Sequence, residues 1–225
     1  MTAQTPLNIL CPVSTTARLL ANDRLTAAAL ALVAGVAWLV TLATSGHMVM
    51  GPAMFVGAWT VMMAAMMLPS AAPLVLLYSS GASGRATLLL GLGYLTVWAV
   101  AGIPAYIGSE LMPMSWSPLV LAAAGVYQRT PAKESCLRKC RTPVDFLMQH
   151  WGRSALRLGV EHGLWCLGCC WALMAVLVLV GMMGVGWVVG LTIVVALEKL
   201  TTRGVAVSRL AGVALLVAAI IEGVR

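Results

Sequence analysis

His162, Cys166, Cys170 and Met174 recur every four residues along one apolar stretch, with Cys169 beside them. Positions four apart advance about 400° around a helix, so successive side chains drift by about 40° and share one ridge. The ridge is graded from imidazole to thiol to thioether, with Cys170 about 12 Å along the axis from His162. Such donors hold hard cations poorly. They suit Cu(I) first, with Zn(II) as the second candidate because Cys and His serve both metals while methionine favours copper. Three donors from one helix do not close around an ion, so a second helix must contribute. Two other readings use the same residues. A buried cysteine packs as a small hydrophobe, and Cys166-Leu-Gly-Cys169 has the C-x-x-C spacing of a thiol–disulfide pair.

A second apolar segment carries Met62, Met63, Met66 and Met67, about 15–22 Å along a helix beginning at Pro52. Pro69 and Pro73 follow and predict a kink, which frees carbonyls and opens a cavity in a membrane bundle. A third group, Cys136, Cys140 and His150, lies in the most basic part of the chain. Cys136 and Cys140 share a helical face, and Arg138, Lys139 and Arg141 around them favour the thiolate. At the opposite ends of the apolar runs His47, Met48 and Met50 form an outer mouth, with Met54, Met112, Met114, Met182 and Met183 nearby. The donors thus run from methionine outside, through methionine at mid-depth, to cysteine and histidine inside, the order of a path carrying Cu(I) inward. A redox relay would instead use Cys166/Cys169 and Cys136/Cys140. Glu198 and Lys199 read as an interfacial pair. No nucleophile–base triad, phosphate loop or carboxylate-rich site is legible, so the sequence leans away from an enzyme and no catalytic residue is assigned.

The elements that must position these donors are membrane helices. Of 225 residues 61% are hydrophobic and 9% charged, more apolar surface than a water-soluble domain of this size hides. Apolar runs fall at about 25–44, 52–78, 86–108, 117–128, 159–183, 185–197 and 205–224. They predict an all-α, polytopic transmembrane helical bundle of about seven membrane segments, of which 117–128 and 185–197 are short for spanning. With the N-terminus in the cytoplasm, alternation of seven helices leaves only Arg225 of the 14 basic residues outside, as the positive-inside rule requires. The net charge of +7 is therefore a matter of topology and does not call for nucleic acid. The first run reads as an uncleaved helix. The chain divides into a cytoplasmic tail, 1–24, and a single transmembrane domain, 25–225, with a cytoplasmic Cys/His-containing loop at about 129–158. In that loop Leu147, Trp151, Ala155 and Leu158 face away from Asp145, Gln149, Arg153 and Arg157. This predicts an amphipathic helix, on the inner leaflet or packed under the bundle. Six cysteines are too few and too scattered for a disulfide framework.

Several motifs together resemble a prokaryotic family of predicted metal-binding integral membrane proteins, defined as a domain of unknown function. They are Met62-Met-Ala-Ala-Met-Met-Leu-Pro-Ser70, Tyr127-Gln-Arg-Thr-Pro131, Cys136-Leu-Arg-Lys-Cys-Arg141, His150-Trp151 and His162-Gly-Leu-Trp-Cys-Leu-Gly-Cys-Cys-Trp-Ala-Leu-Met174. The likeness runs from about 58 to 212 and includes Glu198-Lys199 and Ser208-Arg-Leu-Ala-Gly212. Where that family has Asn after the methionine near 183, this chain has Gly184. The resemblance implies a prokaryotic membrane location and metal binding, and no reaction. The expected function is Cu(I) handling at the inner (cell) membrane, by uptake or by delivery to a cuproprotein. A thiol-redox relay and a structural membrane subunit without metal are the alternatives. The expected partners are the bilayer, the metal ion, a soluble metal donor or acceptor protein, and further copies of the chain in a homo-oligomer.

Overall fold

A computed structural model describes residues 13–44, 51–150, 152–180 and 184–224, with side chains placed for 24–44, 51–150, 152–179 and 184–224. Within these residues the chain forms nine α-helices and no strand: α1 (Val13–Thr44), α2 (Pro52–Gly81), α3 (Gly84–Leu111), α4 (Ser117–Tyr127), α5 (Pro131–Arg141), α6 (Pro143–Gln149), α7 (Ala155–Val180), α8 (Val185–Leu200) and α9 (Gly204–Val224). Proline at the first or second position starts α2, α4, α5 and α6, where its missing N–H has no helical partner to lose. Ser83 caps α3 by accepting from the Ala86 N–H, and Thr130 caps α5 through the Lys133 N–H.

Five helices are long and apolar enough to cross a membrane: 24–44 of α1, α2, α3, 155–179 of α7, and α9. Their outward faces carry large apolar side chains, such as Leu32 and Leu39 of α1 and Leu210 and Ile220 of α9, the surface of a bundle meant for lipid. α4 has 11 residues and α8 has 16, about 16 and 24 Å of helix against a hydrocarbon core of about 30 Å.

The centre of the bundle is α7, which packs on α3, α4, α5 and α8. The α3–α7 contact is close because glycines face backbone across it. A Cβ on Gly159 would strike the Leu90 carbonyl, and one on Gly93 the Leu156 carbonyl. Small residues at such a crossing let two backbones approach where lipid supplies no hydrophobic drive. α4 runs beside α9, and α1 covers α2.

One expectation about local structure changes. The stretch from Asp145 to Leu158 is not one amphipathic helix. α6 ends at Gln149, Gly152 adopts φ +85°, and α7 begins at Ala155, so the proposed apolar face is divided between two elements. α2 is helical on both sides of Pro69 and Pro73. The prolines sit on its exposed face, where each removes a single backbone donor and its ring points away from the core.

Candidate metal centre

The short helices end beside the middle of α7, and their ends build the site. Tyr127, at the end of α4, donates its hydroxyl to the Gly168 carbonyl at 2.5 Å. Lys133, in the first turn of α5, donates its ammonium to the Cys169 carbonyl. The last turn of α8 supplies Glu198 and Lys199, and α9 starts close beneath it: a Cβ on Gly204 would meet the Glu198 carbonyl. Each carbonyl keeps a second lone pair after its helical bond, so α7 accepts these contacts without breaking.

Cys166, Cys169 and Cys170 are fully buried. The Cys169 and Cys170 thiols turn back to the Cys166 carbonyl at 3.1 and 2.9 Å, the i−3 and i−4 contacts open to a small polar side chain in a helix. Cys140 reaches in from α5 and places its Sγ 3.8 Å from that of Cys169. The Cys166 Sγ has different company. The Tyr94 hydroxyl lies at 3.0 Å and the Lys199 ammonium at 2.8 Å. The same ammonium is 3.4 Å from the Ser70 Oγ and 3.8 Å from the Met67 Sδ. One charged group therefore touches a cysteine of α7 and a methionine of α2 at once, which joins two of the three donor groups.

Glu198 and Lys199 are not an interfacial pair. Both are buried, and neighbours in a helix point about 100° apart, so they serve different partners. Glu198 accepts from Lys133 Nζ and from Gln128 Nε2, each at 2.7 Å; Ser208 in turn donates to the Gln128 carbonyl at 2.9 Å. The carboxylate of Glu198 is thus matched by Lys133, and Lys199 is left facing sulfur.

The other donors distribute as follows. Met62, Met63, Met66 and Met67 are all buried in the same cluster as Cys166, Cys169, Cys170 and Met174; adjacent methionines fan apart, and Met67 is the one that reaches Lys199. Cys136 lies against Gly168. Burial raises its thiol above the usual range, ahead of the pull of Lys133 and Lys139 in the other direction, so the surrounding cations do not prevail as the sequence predicts. His162 is buried between Tyr94 and Phe146, ring centres 5.9 and 5.2 Å away, and its Nδ1 meets no polar partner among the described residues. His150 belongs to a separate charged group. Its Nδ1 faces the Phe146 carbonyl at 2.7 Å and its Nε2 lies 3.4 Å from Glu161, whose other oxygen takes Arg153 and Arg157. His47, Met48, Met50, Met182 and Met183 lie outside the described residues.

Among the described residues no three His, Cys, Asp or Glu side chains are already spaced around one point. The donor set is instead a buried patch of thiols and thioether, in which pairs of sulfurs lie close. That suits a soft ion content with two ligands better than one that needs four. Tyr94, Ser70, Gln128 and Lys133 are the contributors that sequence spacing does not reveal; Tyr94 and Ser70 stand as isolated polar residues inside apolar runs, Gln128 at the end of one and Lys133 in the basic loop.

A family model described as "PpoB2: Copper chaperone" matches residues 56–222. No curated protein and no solved structure matches the chain. The match runs from α2 to α9 and shows a copper-related family.

Proposed function

The chain belongs to the PpoB2 copper-chaperone family, and from that premise we propose that it holds Cu(I) inside a membrane bundle and hands it to a partner protein. The observation that carries the reading is the contact of one buried ammonium with Cys166 Sγ at 2.8 Å and Met67 Sδ at 3.8 Å. It supports a joint α2–α7 sulfur site. Cys166 with Cys169 or Cys140 supply thiolate, and Met67 supplies a thioether that needs no deprotonation. His162, Cys170, Met62, Met63, Met66 and Met174 line the approach, and Cys136 flanks it. Donors of this kind favour Cu(I) over Zn(II).

The membrane is the prokaryotic inner membrane, with the N-terminus cytoplasmic and seven segments. Five of these are long and apolar enough to cross, and α4 and α8 complete the count as shorter helices whose ends meet the sulfur cluster. Delivery is preferred to uptake because the family is described by that role. The recipient is a cuproprotein that meets the basic inner side of the bundle. Homo-oligomerisation belongs to the same proposal.

The test is metal content by mass spectrometry on protein purified without oxygen, beside a Cys166→Ser/Cys169→Ser variant. About one copper per chain in the wild type, lost in the variant, is the expected result. No metal in the wild type after loading with Cu(I) would overturn the reading. The second reading, a thiol relay, would then lead. The 3.8 Å approach of Cys140 to Cys169 favours that pair over Cys166/Cys169 and Cys136/Cys140, and reversible, metal-independent loss of two labelled thiols identifies it.

A further inference from the structure

We infer that Lys199 is the fixed counter-cation of a two-thiolate Cu(I) site, and that it selects Cu(I) against divalent metal. The inference rests on the copper reading above and names the residue that sets its specificity. It starts from the distribution of charge around the sulfur cluster. Lys133 and Lys199 bring two ammonium groups and Glu198 brings one carboxylate, which lies 2.7 Å from Lys133. Lys199 is also buried, and among the described residues no carboxylate lies within ion-pair distance of it. Its contacts are Cys166 Sγ, Ser70 Oγ and Met67 Sδ. Of these atoms only Cys166 Sγ can carry a negative charge. An ammonium withdrawn from water persists beside an anion and is costly without one. Before metal arrives, the centre is therefore Lys199 ammonium beside Cys166 thiolate, with the Tyr94 hydroxyl as a further donor at 3.0 Å, and its net charge is zero.

Loading keeps that balance. Cu(I) forms one Cu–S bond to Cys166 and a second to Cys169 or Cys140, whose thiol gives its proton to water at the inner mouth. No electron moves. One positive charge enters and one leaves, so ammonium, Cu(I) and two thiolates again sum to zero. Without Lys199 the same bis-thiolate complex is an anion buried in a medium of low dielectric. Zn(II) on the same two thiolates leaves one positive charge in excess. Removing that excess requires a third thiolate, and no three such side chains are pre-spaced among the described residues.

The experiment compares the wild type, Lys199→Leu and Lys199→Arg in lipid nanodiscs without oxygen. Cu(I) affinity is read by competition with a chromogenic Cu(I) chelator, and Zn(II) affinity with a zinc indicator. Lys199→Leu removes the charge without adding a donor and is expected to weaken Cu(I) at least about tenfold, with Zn(II) unchanged or tightened. Lys199→Arg keeps the charge and is expected to stay within about threefold of the wild type. If Lys199→Leu is not monodisperse, Lys199→Gln is read by the same criteria. The wild type alone gives an independent reading, in which equimolar Zn(II) leaves bound Cu(I) in place. Equal Cu(I) affinity in Lys199→Leu and wild type overturns the inference and spares the copper reading, as does displacement of Cu(I) by Zn(II) one for one. A wild type that takes up no Cu(I) overturns the copper reading itself, and the inference with it.

Discussion

Glu198 and Lys133 meet at 2.7 Å in the interior, with side chains 0% and 1% exposed, and the consequences of such a pair are asymmetric. Changing Glu198 to Gln leaves the Lys133 ammonium with neutral acceptors, such as the Cys169 carbonyl, and no opposing charge. Breaking a buried pair this way costs about 3–5 kcal/mol, so Glu198→Gln is expected to lower unfolding free energy by that order in mixed-micelle denaturation. The double variant Lys133→Met/Glu198→Gln removes both charges and is expected to lie closer to the wild type than Glu198→Gln alone. Losses that simply add would show the two groups to be independent. At this scale the cysteine and methionine ladders are legible in the sequence because helical spacing is a local property. The roles of Glu198 and Lys199 are not legible. Adjacent residues read as partners until the packing shows that each faces a different helix.

The α3–α7 crossing is decided by elements. Gly159 and Gly93 look alike in sequence to Gly91, yet a Cβ at Gly91 meets nothing within 4 Å while one at Gly159 meets the Leu90 backbone. Backbone cannot move aside as a flexible side chain does. Gly159→Ala is expected to destabilise by about 1–3 kcal/mol through overpacking, while Gly91→Ala is neutral or gains up to about 1 kcal/mol of helix propensity. Thermal unfolding of both variants in detergent checks the contrast, and equal effects would remove the close crossing from the account. α5 shows why element placement escaped the sequence. Its composition, Lys and Arg with two cysteines, reads as a solvated basic loop. In the fold it lies along α7, with Lys133 at Cys169 and Lys139 stacked 4.1 Å over the Trp165 ring. Charged side chains enter a bundle when their partners are already there, and those partners come from α7 and α8, distant in sequence.

For the whole molecule the asymmetry of basic residues makes the orientation testable. The proposed orientation puts Arg85 at the α2–α3 connection and the stretch of α5 and α6 on the cytoplasmic side, and the α3–α4 connection on the opposite one. Gly84→Cys is expected to react with a membrane-impermeant maleimide only after the cells are opened, and Ser115→Cys in intact cells, each above the labelling of the wild type. Labelling with the two positions exchanged would invert the topology and with it the direction in which the donor series strengthens.

What the sequence determined by itself was everything that depends on neighbours within one helix: an all-α membrane chain, the Cys166–Cys170 ridge, the Met62–Met67 pairs and the soft-metal character of their donors. Periodicity and composition carry these because hydrophobic length and the helical repeat are set by local chemistry. Tertiary structure decided which donors meet. It brought Cys140 to Cys169, set Lys199 between Cys166 and Met67, gave Glu198 to Lys133 and drew His150 away to Glu161. It did so by ending α4 and α8 beside the middle of α7, so that the Tyr127 and Lys199 side chains reach α7 while Ser208 and Arg141 take the end carbonyls of Gln128 and Thr201.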